Sequence, residues 1–185
     1  AQLQSIVGEF IVGENDDSLA SVVVDLLQQR QQQITVAESC TGGMIASQIT
    51  GISGVSSVFE AGYVTYSNTI KQQLLGVDSD LIQQYGSVSE DVVRAMALGA
   101  LDSASADCVI AVSGIAGPKG GTAEKPVGTV WIAWGSKDNL QAQRFNYPVG
   151  RQFFQTMISA LALDLVRRFL LGSTSLPDYF QRKFR

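Results

Sequence analysis

The chain has 185 residues, of which 45% are hydrophobic and only 16% charged. That is one domain with a sizeable core, and it excludes a disordered or low-complexity protein. The net charge of −4 and a pI near 4.7 weigh against nucleic acid as a partner, since such domains carry a basic excess. There is no histidine, which rules out a Ser-His-Asp triad and a zinc site built on imidazoles. Any nucleophile must take its base from lysine, tyrosine, a carboxylate or water. Two cysteines, Cys40 and Cys108, are too few for a disulfide framework and fit a reducing, cytoplasmic setting. No apolar run reaches ~18 residues, so no membrane span is expected, and no signal-peptide pattern is present. The low charge points to an oligomer interface, with a homodimer or higher homo-oligomer as the expectation.

Residues 1–16 lack periodicity and read as a linker or N-terminal extension, with Gly8–Gly13 as a short strand or linker. Asn15-Asp16-Asp17 opens a helix whose apolar positions are Leu19, Val22, Val23, Leu26 and Leu27. Ile34–Ala37 is the first strand. The turn Glu38-Ser39-Cys40-Thr41-Gly42-Gly43 leads into a helix over 42–50, with Met44, Ile45 and Ile49 inward. Phe59–Tyr66 is an aromatic strand and Asn68–Leu74 a short helix carrying Lys71. Ser87-Val88-Ser89-Glu90 opens the clearest helix, capped by either Ser87 or Ser89, with a stripe of Val92, Val93, Met96, Ala97, Ala100 and Leu101. Cys108–Val112 is a buried strand, followed by the glycine-rich stretch Ser113–Gly121. Val127–Trp134 and Gln141–Tyr147 read as an antiparallel hairpin. The last helix, Gln152–Leu171, turns Phe154, Met157, Ile158, Leu161, Leu165 and Phe169 to one side. Residues 172–185 form a tail whose basic end, Gln181–Arg185, reads as solvated. Strands and helices alternate early and a hairpin comes late. That predicts one layered α/β/α domain over 17–171, with a mixed, mostly parallel sheet.

Three segments carry chemistry. In the 38–43 turn, Gly42 and Gly43 allow close backbone approach and the following helix favours an anion. Ser39 and Thr41 are a nucleophile and donors there, or simply helix caps. Cys40 is intrinsically more nucleophilic than Ser39, but strand alternation puts the two on opposite faces, so only one points into a site. Tyr66 and Lys71 lie about one helical turn apart and share a cleft. A desolvated lysine loses pKa and becomes a general base, while the tyrosine relays a proton or holds the lysine. Ser113, Gly114, Ile115, Ala116 and Gly117 offer a hydroxyl and backbone donors for an oxyanion or phosphate. The stretch is neither a Walker A loop nor a dinucleotide fingerprint. Arg144 and Arg151 are candidates for a phosphate or carboxylate. Together these residues predict a metal-free, cofactor-free Ser/Lys acyl-transfer site or an anion pocket at strand carboxyl ends.

At this point a resemblance becomes specific. Val36–Gly43, Tyr63–Asn68 with Lys71, Gly86–Glu90, Ser113–Pro118 and Lys125–Val130 occur in that order. This set is similar to the C-terminal domain of the competence/damage-inducible protein CinA, the nicotinamide-nucleotide amidohydrolase family, over about residues 17–170. The resemblance implies hydrolysis of the carboxamide of nicotinamide mononucleotide (NMN) to nicotinic acid mononucleotide and ammonia, in pyridine nucleotide recycling. It implies Ser39 as nucleophile, Lys71 as base and Tyr66 as helper. Thr41, Gly42 and Gly43 would supply main-chain donors, Ser113 and the donors after it would touch the amide, and Arg151 would bind phosphate. Gly8–Glu14 resembles the segment that joins this domain to an N-terminal molybdopterin-binding-like domain in longer members. The alternative reading is a non-catalytic nucleotide-binding module of a competence-related protein, and a third is a Cys40-dependent amidase.

Overall fold

The structure is a computed structural model that describes residues 17–173 and Leu176. The expectations for residues 1–16 and for most of the tail lie outside the described residues. Helix α1 (Leu19–Arg30) is followed by β1 (Ile34–Glu38), α2 (Met44–Thr50), β2 (Phe59–Val64), α3 (Asn68–Leu75), α4 (Ser79–Tyr85) and α5 (Glu90–Ala104). Then come β3 (Cys108–Gly114), β4 (Thr129–Gly135), β5 (Leu140–Asn146) and α6 (Arg151–Leu170). The sheet order is β2-β1-β3-β4-β5. The first three strands are parallel, and β4 and β5 add to β3 as an antiparallel hairpin. The mixed α/β/α expectation holds.

Burial explains the arrangement. Every residue of β1 is buried, as a central strand covered on both faces requires. Ile34, Val36, Ile110 and Val112 face a core shared with α1, α2 and α6. Ala37, Val109 and Ala111 face the other core, under α3, α4 and α5. All six residues of the α5 stripe are buried. Ser89, not Ser87, caps this helix, accepting a hydrogen bond from the Val92 N–H at 3.3 Å. Helix α1 is capped by Ser18 rather than by the acidic residues before it. Helix α4 went unpredicted, and of its seven residues only Ile82 is buried.

Two features place the site. The chain leaves β1 through α2 to one side of the sheet and reaches β3 through α3–α5 on the other. The carboxyl ends of β1 and β3 therefore flank a switch point, the usual position of a ligand crevice in such sheets. Helix α3, which carries Lys71, is pinned against α5 at Gly99. A Cβ there would stand 1.9 Å from the Leu75 carbonyl oxygen, so only glycine admits this approach.

Candidate active site

At the ends of β1 and β3 lies an open cleft of about 180 Å³. Ser39 and Cys40 border it from the turn after β1, and Tyr66 and Lys71 from the β2–α3 segment. Ser87 and Val88 form the wall before α5, Ser113 and Gly114 at the end of β3 form another with Ala116, and Arg151 enters as the first residue of α6. The sequence-predicted Ser39, Tyr66, Lys71, Ser113 and Arg151 are thus brought together.

Lys71 is the centre of the arrangement. It is 1% exposed, a charged side chain fully inside the fold. Its Nζ donates to the Thr65 carbonyl at 2.5 Å and lies 3.1 Å from Ser39 Oγ. Burial pushes its pKa down from 10.5 to about 8. In its neutral form the amine keeps one N–H on Thr65 and turns its lone pair to the Ser39 hydroxyl. That is the geometry of a general base holding a nucleophile. Ser39 itself is 9% exposed, enough to meet a ligand in the cleft.

Cys40 is the inert neighbour. It packs into the α1/α2/α6 core at 3% exposure, while Ser39 is the one of the pair that bonds Lys71. Burial, with the Glu38 carboxylate adding to it, pushes its thiol up to about 12. Such a shift keeps the sulfur protonated at neutral pH, which favours Ser39 over Cys40 as the nucleophile.

The turn corrects the sequence reading in one respect. The helix end after Gly43 holds no open anion site, because Glu38 fills it. Its fully buried carboxylate accepts from the N–H groups of Gly43 and Ile45 at 3.1 Å and of Ala46 at 2.8 Å. The Gly42 N–H closes the turn on the Ser39 carbonyl at 3.2 Å. Gly42 and Gly43 adopt φ of +66° and +96°, so their glycines serve the turn's shape. Thr41 caps nothing: its hydroxyl is buried without a partner among the described residues. Thr41, Gly42 and Gly43 are not among the residues that border the cleft.

The stretch after β3 is likewise only partly available. The Ile115 N–H is bonded to the Thr129 carbonyl at 2.8 Å, and the Gly117 carbonyl accepts from Arg151 Nη1 at 3.2 Å. Neither residue borders the cleft. Ser113 and Ala116 do, and the N–H groups of Cys40 and Ala116 donate to no backbone carbonyl among the described residues. Tyr66 also departs from expectation. The strand ends at Val64, and the 61%-exposed Tyr66 accepts at its hydroxyl from Arg151 Nη2 at 3.0 Å. It pairs with the arginine at the cleft mouth, while Thr65 holds the lysine. Arg144 lies elsewhere, bonded to the Glu124 carbonyl at 2.8 Å.

The C-terminal domain of CinA, by its family model, matches residues 16–170. The chain belongs to the CinA C-terminal domain family. A CinA-like protein of Colwellia psychrerythraea is 51% identical over 98% of this chain, and one of Akkermansia muciniphila is 47% identical over 88%. The chain spans 43% and 40% of those two relatives' lengths. The crystal structure of a competence/damage inducible protein from Agrobacterium tumefaciens superposes with a TM-score of 0.79 at 37% identity. That match covers 82% of this chain and 93% of the other. A CinA superfamily protein from Klebsiella pneumoniae gives 0.80 at 32%, covering 83% and 96%. No described helix of this CinA domain is long and apolar enough to cross a membrane.

Sequence reasoning missed two polar features of the CinA domain. One is Glu38, a carboxylate in the turn to which the sequence pattern assigns no partner. The other is the buried cluster of Asp164 with Arg167 and Arg168, at 2.7 and 3.0 Å, which lies off the apolar stripe predicted for α6. The i, i+3 and i, i+4 spacing of these charges was the available signal.

Proposed function

We propose that this domain hydrolyses the carboxamide of NMN, releasing ammonia and nicotinic acid mononucleotide, with Ser39 as nucleophile and Lys71 as base. The observation that carries the reading is the buried Lys71 amine, depressed to about 8 and 3.1 Å from Ser39 Oγ. Carrying a charged amine into a core is costly, and an anion-binding site gains nothing from lowering that amine's charge beside a hydroxyl. The non-catalytic module therefore leaves this feature without an account.

Neutral Lys71 takes the Ser39 proton as Oγ bonds to the amide carbon, and the carbonyl π electrons move to oxygen. The N–H of Ala116, on a residue that borders the cleft, is the donor assigned to that oxyanion. The Lys71 ammonium returns its proton to the departing nitrogen, the C–N bond breaks, and ammonia leaves an ester on Ser39. Water, deprotonated by the same amine, adds to the ester, and collapse restores the serine and frees the acid. The small cleft suits the pyridine carboxamide. The ribose phosphate then lies at the mouth, where Arg151 provides a guanidinium already oriented by Tyr66 and Gly117.

The reading extends to the whole protein as a metal-independent, cytoplasmic enzyme of pyridine nucleotide recycling. In it, this domain follows a molybdopterin-binding-like domain and self-associates through apolar surface such as Val64 and Phe153, which are 47% and 59% exposed. The test is acid quench of the enzyme during turnover of NMN, followed by mass spectrometry of the Ser39 peptide. A nicotinoyl ester nucleotide adduct on Ser39, absent from Ser39→Ala, is expected. Steady turnover with no adduct and undiminished activity in Ser39→Ala would contradict the mechanism.

A further inference from the structure

Ser113, the last residue but one of β3, lies on the α5 side of the sheet and is 1% exposed. Its hydroxyl stands 2.6 Å from the Ser87 carbonyl oxygen. A carbonyl oxygen only accepts, so the single hydroxyl proton of Ser113 is committed to that bond. The remaining capacity of Ser113 is its lone pairs, and both residues border the cleft that holds Ser39 and Lys71. The Ser87 carbonyl is itself fixed. Just before it, Lys125 Nζ donates to the Tyr85 carbonyl and Ser89 Oγ reaches back over Ser87 to the Gly86 carbonyl at 2.9 Å.

Resting on the amide-hydrolysis reading, we infer that Ser113 distinguishes the carboxamide substrate from the carboxylate product. A carboxamide offers two N–H donors to the lone pairs of Ser113, whereas a carboxylate offers none. To donate to a carboxylate, Ser113 must rotate away from Ser87 and leave a partly buried carbonyl unpaired, which is the expensive half of a broken hydrogen bond. Such a device has a purpose here. Arg151 and protonated Lys71 both border the cleft and favour an anion, so without an opposing acceptor the product acid would outcompete the neutral amide. The same contact orients the substrate. With the amide nitrogen on Ser113, its carbonyl oxygen is turned away from that residue.

The test is calorimetric titration of Ser39→Ala with NMN and with nicotinic acid mononucleotide, repeated in Ser39→Ala/Ser113→Ala. Adding Ser113→Ala is expected to reduce the amide-over-acid affinity ratio by about tenfold to hundredfold. An unchanged ratio, with amide still bound, overturns the inference and leaves the amidohydrolase reading standing. If Ser39→Ala binds neither nucleotide, both fall. A measurement on otherwise unaltered protein guards against misfolding of the double variant. In the wild type, 3-acetylpyridine mononucleotide, a neutral methyl ketone without N–H groups, is expected to inhibit at least about tenfold more weakly than NMN binds. Equal affinity for the ketone and the amide would overturn the inference.

Discussion

Replacing Lys71 by methionine should abolish activity and yet remove a stability penalty. Methionine has nearly the same length and volume, so the core around α3 stays filled. Lowering the amine from 10.5 to about 8 corresponds to at most about 3 kcal/mol withheld from folding at neutral pH. Methionine escapes that cost but leaves the Thr65 carbonyl, to which Nζ donated, without its partner, at about 1–3 kcal/mol. The two terms nearly offset, so the absolute difference at one pH decides little. Its pH dependence is decisive. The folded pKa lies below the unfolded one, so the unfolded chain binds more protons between about 8 and 10.5. Wild-type stability therefore carries the full penalty below about 8 and recovers as pH rises through that window. Between about pH 7 and pH 9.5 the wild type should gain about 2 kcal/mol relative to Lys71→Met. Guanidinium unfolding of both proteins at the two pH values measures this, since other titrating groups cancel in the difference. A difference that stays constant with pH would show that Lys71 is charged at no cost, and would refute its assignment as a base. The same shift predicts that wild-type kcat/KM rises with pH along a limb near 8, with only about a tenth of the lysine neutral at neutral pH.

Three other outcomes follow from the site. Cys40→Ala should keep kcat within a few-fold, and wild-type activity should resist thiol reagents on the assay timescale, because the thiol is buried and held near 12; rapid inactivation by such a reagent would count against Ser39. Arg151→Ala should raise KM for NMN by about tenfold to hundredfold with little effect on the riboside, the magnitude of a charge-assisted phosphate contact; equal losses on both substrates would remove Arg151 from phosphate binding. Glu38→Gln should lower stability by about 1–3 kcal/mol, since an amide nitrogen cannot accept from the turn's N–H groups, and should lower kcat more than it raises KM. Chemical denaturation with steady-state kinetics checks this, and an unchanged midpoint would show that Glu38 does not hold the turn.

The β1 turn and the Lys71 helix were legible because each couples a hydrophobic pattern to residues of unusual type at a strand end. Strand alternation puts Ser39 and Cys40 on opposite faces without choosing between them, and only the resemblance pointed to Ser39. The role of Glu38 was not legible, because a helix end after glycines looks the same in sequence whether a ligand or the chain's own carboxylate fills it. Tyr66 was assigned to Lys71 from proximity along the chain. Its partnership with Arg151 is a contact across 85 residues, which no local pattern reports. Helix α4 escaped because a seven-residue segment with one buried side chain has too little periodicity to register. The desolvation of Lys71, on which the chemistry depends, is a property of packing between α3, α5 and the β1 turn, and only the folded chain displays it.

The central claim is most directly tested by ammonia release from NMN, measured for the wild type and for folded Ser39→Ala side by side. Release by the wild type with at least about a thousandfold loss in Ser39→Ala is the predicted result. Equal release by both proteins, or none by a folded wild type, would contradict the assignment of a Ser39–Lys71 amidohydrolase.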